Sequence, residues 1–130
     1  MSEQKLQNEI RIYLSQQGFI VFRMNVGKVR MADGRFFDTG LPKGFSDLMG
    51  IKDGKTYFFE IKFGKNKPSL EQLNFIEQMK KKGCIAGVVY SIDDVNELIR
   101  SEDYWNISKL FEGGRWEWIY TKMKMKRIKP

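Results

Sequence analysis

The sequence predicts an α/β domain in which helices flank a mixed β-sheet. Three observations predict it. Helical and strand-like apolar periodicities alternate in the order α-β-β-β-α-β, with a short further helix behind them. Two central strand-like segments are joined by Asp53-Gly54, a dipeptide suited to a two-residue type I′ turn. The helical segments carry their own start and stop signals.

Residues 3–17 read as the first helix. Leu6, Ile10, Tyr13 and Leu14 recur at helical spacing, and Gly18 ends it. Phe19 to Met24 is a short apolar strand. Residues 25–43 are rich in glycine and charge, and read as an extended loop or irregular hairpin. Residues 47–52 and 55–63 form the two arms of the Asp53-Gly54 hairpin. In the second arm Tyr57, Phe59, Ile61 and Phe63 lie on one face, wholly apolar and therefore core. Thr56, Phe58, Glu60 and Lys62 lie on the other, which places charge in the middle of a strand.

A second helix is expected over 69–82. Ser69 and Gln72 have capping-box spacing, and Leu70, Leu73, Ile76 and Met79 supply its apolar stripe. Lys80, Lys81 and Lys82 suit the negative end of the helix dipole, and Gly83 closes it. Cys84 to Tyr90 reads as a buried strand, and Ser91 caps a short helix at 93–100. Residues 101–130 differ in character. They hold Trp105, Trp116 and Trp118, and the last nine residues carry five cations and no anion. The expected organisation is a domain over 1–100 and a basic extension over 101–130.

At 130 residues the chain has the length of one domain. It has one cysteine, Cys84, and no histidine, which excludes a disulfide framework, a Cys/His zinc site and any imidazole-based triad. A bound metal must then have oxygen ligands, which suits magnesium or manganese. The N-terminal residues lack the pattern of a signal peptide, and no apolar run reaches membrane-spanning length, so a soluble cytoplasmic protein is expected. The net charge of +7 suits a polyanionic partner, or serves solubility alone.

The hairpin builds a site. With Asp53-Gly54 as a two-residue turn, Lys52 faces Lys55, and stepping outward along both arms brings Asp47 opposite Glu60 on one face. Opposed side chains have Cβ atoms roughly 4.5–5.5 Å apart, where like charges repel. A divalent cation between them turns repulsion into attraction. Lys62, two residues beyond Glu60, shares the face. It offsets the carboxylates as an ion-pair partner, and it can also assist an attacking water or steady charge on phosphorus. The set suits phosphodiester hydrolysis.

Asp47 followed by Glu60-Ile61-Lys62 resembles the core of the PD-(D/E)XK nucleases. More specifically, about residues 4–100 resemble the VRR-NUC family, the virus-type replication-repair nucleases. The matching pieces are Glu9, Arg23-Met24-Asn25-Val26-Gly27, Lys43-Gly44-Phe45-Ser46-Asp47-Leu48, Phe59-Glu60-Ile61-Lys62 and Ser69-Leu70-Glu71-Gln72. Ser46 departs from the pattern, which often has proline before the aspartate. The resemblance implies a restriction-endonuclease-like core and Mg²⁺, with Mn²⁺ as substitute, on Asp47, Glu60 and the Ile61 carbonyl. It implies that Glu9 holds a metal-bound water or the metal itself. It also implies that Lys62 is the catalytic lysine and that Gln72 supports the site, although the capping box alone explains Gln72 equally well.

The resemblance further implies a metal-dependent DNA endonuclease, of viral or repair type, resolving four-way (Holliday) junctions as a homodimer, since two symmetric cuts need two sites. The expected DNA contacts are Arg23 and Asn25 near the site, then Lys28, Arg30, Arg35 and Lys43 along the glycine-rich segment, and Lys65 and Lys67 past the catalytic strand. For each, a solvated surface is the plain alternative. The rival functions are a DNA-binding module with an inactive site, and a nicking or flap nuclease.

Overall fold

In the computed structural model, which describes residues 1–102, nine elements follow one another. Helix α1 (Glu3–Gln16) starts where the Ser2 hydroxyl accepts from the Lys5 N–H, and Gly18 turns the chain away with φ of 93°. Strand β1 (Ile20–Arg23) follows. The glycine-rich segment contains two short strands, β2 (Lys28–Arg30) and β3 (Phe36–Asp38), so of the two readings open for it the hairpin is the one formed. Strands β4 (Leu48–Lys52) and β5 (Lys55–Ile61) make the central hairpin. Helix α2 (Leu70–Lys81), strand β6 (Ile85–Val89) and helix α3 (Ile92–Ser101) complete the described chain. The basic extension lies almost entirely outside the described residues.

The main sheet has the order β1-β4-β5-β6. β1–β4 and β4–β5 are antiparallel, and β5–β6 is parallel because α2 carries the chain across between them. The central turn has positive φ at both residues, 53° at Asp53 and 75° at Gly54, as a type I′ turn requires. Lys52 pairs with Lys55 and Leu48 with Phe59, which is the register expected from the turn.

Helices cover both faces of the sheet. On one face Phe59, Ile61, Leu48 and Val89 pack with Leu6, Ile10 and Leu14 of α1 and with Val95 and Leu98 of α3. On the other face Phe58, Ala86 and Val88 pack with Leu73 and Ile76 of α2. Each fully buried large apolar side chain contributes about 1.5–3 kcal/mol. The α2 stripe is narrower than expected: Leu70 is 49% exposed, because it sits in the first turn, and Phe75 fills the cluster instead. Phe75 meets Phe58 edge-on at 5.3 Å and lies 4.4 Å from Phe45, which ties the loop before β4 to α2.

That loop approaches α2 closely at Gly44. Its φ is +94°, and a Cβ there would lie 2.5 Å from the Glu71 carbonyl oxygen. Only glycine fits. The backbone entering Asp47 is thereby seated on the start of α2. No described helix is long and apolar enough to cross a membrane.

Candidate active site

Asp47 stands one residue before β4, immediately beyond the last ladder pair. Its backbone carbonyl accepts from the Met24 N–H at 2.9 Å. Its carboxylate oxygen Oδ2 accepts from the Ile61 N–H at 2.8 Å. The residue is held at both ends, by the chain leaving β1 and by the end of β5. The expected opposition to Glu60 is therefore modified. The two carboxylates are neighbours, but Asp47 reaches one residue further to a backbone donor.

Glu60 lies on the sheet face that carries Phe58, and 1% of it is exposed. Neither of its carboxylate oxygens accepts a well-formed hydrogen bond. Lys62 Nζ lies 3.5 Å from Oε1, an ion-pair separation, with its own side chain 14% exposed. The Lys62 N–H donates to the Val89 carbonyl at 3.1 Å, so β6 sets the position of the lysine. Burial, and after it the adjacent Asp47 charge, push the Glu60 carboxyl up to about 8 against the lowering effect of Lys62. Asp47 is also raised, chiefly by burial, and the Ile61 amide and Lys62 oppose the rise.

A third carboxylate approaches from α1, and it is Glu3. It accepts from the Phe63 N–H at 3.2 Å and from Asn66 Nδ2 at 3.1 Å, and its charge adds to the rise at Asp47. Glu9, expected at this position from the sequence, is not brought to these carboxylates. Glu9 is exposed and lines no part of the site. On a helix of 3.6 residues per turn it points roughly 120° away from Glu3. Glu3 continues the Leu6, Ile10 and Leu14 stripe into the first turn, and that spacing was the signal available in the sequence.

Asp47 opens onto a concavity of about 510 Å³, lined also by Glu3, Gln7, Arg23, Asn25, Lys43 and Gln72. Pieces of sequence from 23–25, 43–47 and 69–72 thus meet around one space. Arg23 Nη2 donates to Gln4 Oε1 at 3.3 Å. Lys43 is 3.5 Å from Glu71 on the exposed rim. Gln72 completes the capping box: its Oε1 accepts from the Ser69 N–H at 2.8 Å, while its backbone N–H donates to Ser69 Oγ. Its structural part is thus present, and its side chain also faces the concavity.

The remaining cations are dispersed. Arg30 and Lys65 are exposed, and Lys67 is half-buried. Arg35 pairs with Asp33 at 2.7 Å. The side chain of Lys28 lies outside the described residues.

Among the described residues no three His, Cys, Asp or Glu side chains form a preassembled metal cluster. The donor pair Asp47 and Glu60 nevertheless fits a hard divalent cation. The donors are oxygens, neither buried oxygen of Glu60 accepts a well-formed hydrogen bond, and neighbouring negative charge disfavours ionisation without a cation. Magnesium commonly takes one or two protein carboxylates and keeps water in its other positions.

No family model matches the chain, and no curated protein matches it. Among solved structures a VRR_NUC domain is similar to it, with 26% identity and a TM-score of 0.55. The similarity covers 75% of this chain and 94% of that one. This is a VRR-NUC-like domain. Its mixed four-stranded sheet with flanking helices is the restriction-endonuclease-like α/β fold expected from the sequence. In the VRR-NUC-like frame, Glu60 and Lys62 sit at the end of a central strand and Asp47 leans in from its neighbour.

Proposed function

We propose that the protein is a metal-dependent DNA endonuclease. The observation that carries this reading is the adjacent Asp47 and Glu60 carboxylates beside Lys62, with Glu60 buried and neither of its oxygens in a well-formed hydrogen bond. A fold maintained for stability alone gains nothing from that arrangement, because a buried carboxyl without well-formed hydrogen bonds is costly. Asp47, Glu60 and the Ile61 carbonyl would hold Mg²⁺, or Mn²⁺ in its place. The bound cation supplies Lewis acidity toward a phosphate and makes water a better nucleophile.

The chain's own residues do the rest. The Ile61 N–H fixes the Asp47 carboxylate, and the Met24 N–H fixes its backbone. Lys62 keeps an ammonium at the carboxylates, where it offsets negative charge on the reacting phosphate and orients water. Glu3 takes the place given to Glu9: its carboxylate is on the correct side of α1 to touch water beside Asp47. Arg23, Asn25 and Lys43 line the concavity and suit the backbone on either side of the scissile phosphate. Four-way junction resolution by a homodimer is the specific form of the activity we favour, with repair of branched DNA, viral or cellular, as its setting. Its support is the family likeness, and two coordinated cuts need two sites.

Labelled four-way junction, flap, duplex and single-stranded DNA, each with Mg²⁺ or Mn²⁺, provide the test. Wild type cuts; Asp47→Ala and Lys62→Ala each cut at least about 100-fold more slowly. Cutting that survives Asp47→Ala rejects the site. Equal cutting of every duplex rejects junction specificity, and a monomer by gel filtration rejects the dimer. Undiminished binding without any cutting identifies an inactive DNA-binding module instead.

A further inference from the structure

The β2–β3 hairpin pairs with itself and joins no strand of the four-stranded sheet among the described residues. Each of its strands has three residues. A two-stranded hairpin of that size has little stability of its own in water. It also exposes large apolar side chains: Phe36 is 66% exposed and Met31 is 45% exposed. Arg30 is the ladder partner of Phe36, so a cationic residue and an exposed ring share one face. From residue 23 to residue 43 five cations stand against two carboxylates.

The hairpin is rooted at the site. The Thr39 N–H donates to the Gly27 carbonyl at 2.9 Å and closes its base. Three residues before Gly27, Met24 holds the backbone of Asp47. On the returning side, Lys43 and Gly44 line the same concavity as Asp47. The base of the hairpin therefore adjoins the concavity onto which Asp47 opens.

We infer that the β2–β3 hairpin is a DNA-engaging arm in which Phe36 stacks on a nucleobase left unpaired at a branch or distortion, while Arg30 meets a neighbouring phosphate. The inference rests on the nuclease reading, which is what brings DNA to the site. An aromatic face accepts any base, so the arm recognises unpairing rather than sequence. Apolar side chains set beside cations are how proteins engage unstacked base steps. Fully paired DNA presents no free base face, so it gains little from Phe36. The excess of cations favours a polyanion over an apolar protein surface as the partner.

Anisotropy of a labelled duplex with a central unpaired bulge, against the same duplex fully paired, tests the arm in divalent-free buffer. The full chain is compared with Phe36→Ala, Phe36→Trp and Arg30→Ala. Phe36→Ala is expected to weaken bulge binding about 10-fold and paired binding less than about 2-fold, as loss of one stacked base requires. Phe36→Trp restores bulge binding, and Arg30→Ala lowers its salt dependence. Equal loss on both duplexes, or no loss on either, overturns the arm. A change of oligomeric state in Phe36→Ala without a change in bulge affinity also overturns it and assigns the ring to a protein contact. A Phe36-dependent bulge preference in a protein that cuts no DNA supports the arm and rejects the nuclease reading. Cutting of DNA that ignores Phe36 does the reverse.

Discussion

Glu60 is the residue in which structure and chemistry conflict most. A carboxyl buried to 1% exposure, beside a second carboxylate, keeps its proton to about pH 8. The unfolded chain releases that proton near 4.5. Below about pH 4.5 both states bind it, and stability is independent of this group. Between there and about 8 the folded state holds a proton that the unfolded state has lost, so stability falls as pH rises, by about 1.4 kcal/mol per unit at most. Above about 8 the loss is complete. Asp47, also raised, adds in the same direction. In divalent-free buffer, urea midpoints from pH 5 to pH 9 are expected to fall for wild type and to flatten in Glu60→Gln. Mg²⁺ is expected to remove most of the slope in wild type by replacing the proton. An unchanged slope in Glu60→Gln places the titration elsewhere.

At the scale of elements, α2 matters through its first turn. The reciprocal Ser69–Gln72 bonds fix where the helix begins, and the Glu71 carbonyl of that turn touches Gly44 on the way to Asp47. Ser69→Ala is expected to cost about 1 kcal/mol, read from the urea midpoint. Its effect on cleavage should exceed that of an equally destabilising change at the far end of the helix. Equal effects would mean that the first turn contributes stability alone.

The elements also show what the sequence discloses. The Asp53-Gly54 turn sets a register from two residues, and the ladder keeps it as far as Leu48 and Phe59, one step short of Asp47 and Glu60. Capping residues announce α2 and α3 in the same local way. Glu3 is legible only in part, because helical spacing puts it on the buried stripe but does not show what it meets there. Its partners Phe63 and Asn66 lie 60 or more residues away, and a helix-surface glutamate carries no local mark of them. Leu70 fits the apolar spacing yet lies exposed in the first turn, because spacing alone does not reveal where along a helix burial begins. The β2 and β3 strands have three residues each, too short a run for alternation to distinguish a hairpin from a loop.

For the molecule as a whole, charge is a rate and affinity device rather than a source of fold. The chain carries +7 in total. If about three phosphates are engaged, raising salt from about 50 mM to about 200 mM is expected to weaken DNA binding on the order of 10- to 100-fold. A flat salt response would contradict a phosphate-contacting surface. The sheet and the site are built from residues 3–101, while the cations of the C-terminal extension fall outside the described structure. Comparing the salt slope of the full chain with that of residues 1–102 measures what those cations add.

The bond from the Ile61 N–H to Asp47 has a consequence for observing the protein at work. A strand amide is normally shielded by the adjacent backbone and exchanges its hydrogen only when the sheet opens. This amide is shielded by an ionisable side chain at the reaction centre. Its deuterium uptake therefore follows the posture of one carboxylate. Compared with the amide of Phe59, deeper in the same strand, it provides an internal clock for events at the centre that leave the rest of the sheet at rest.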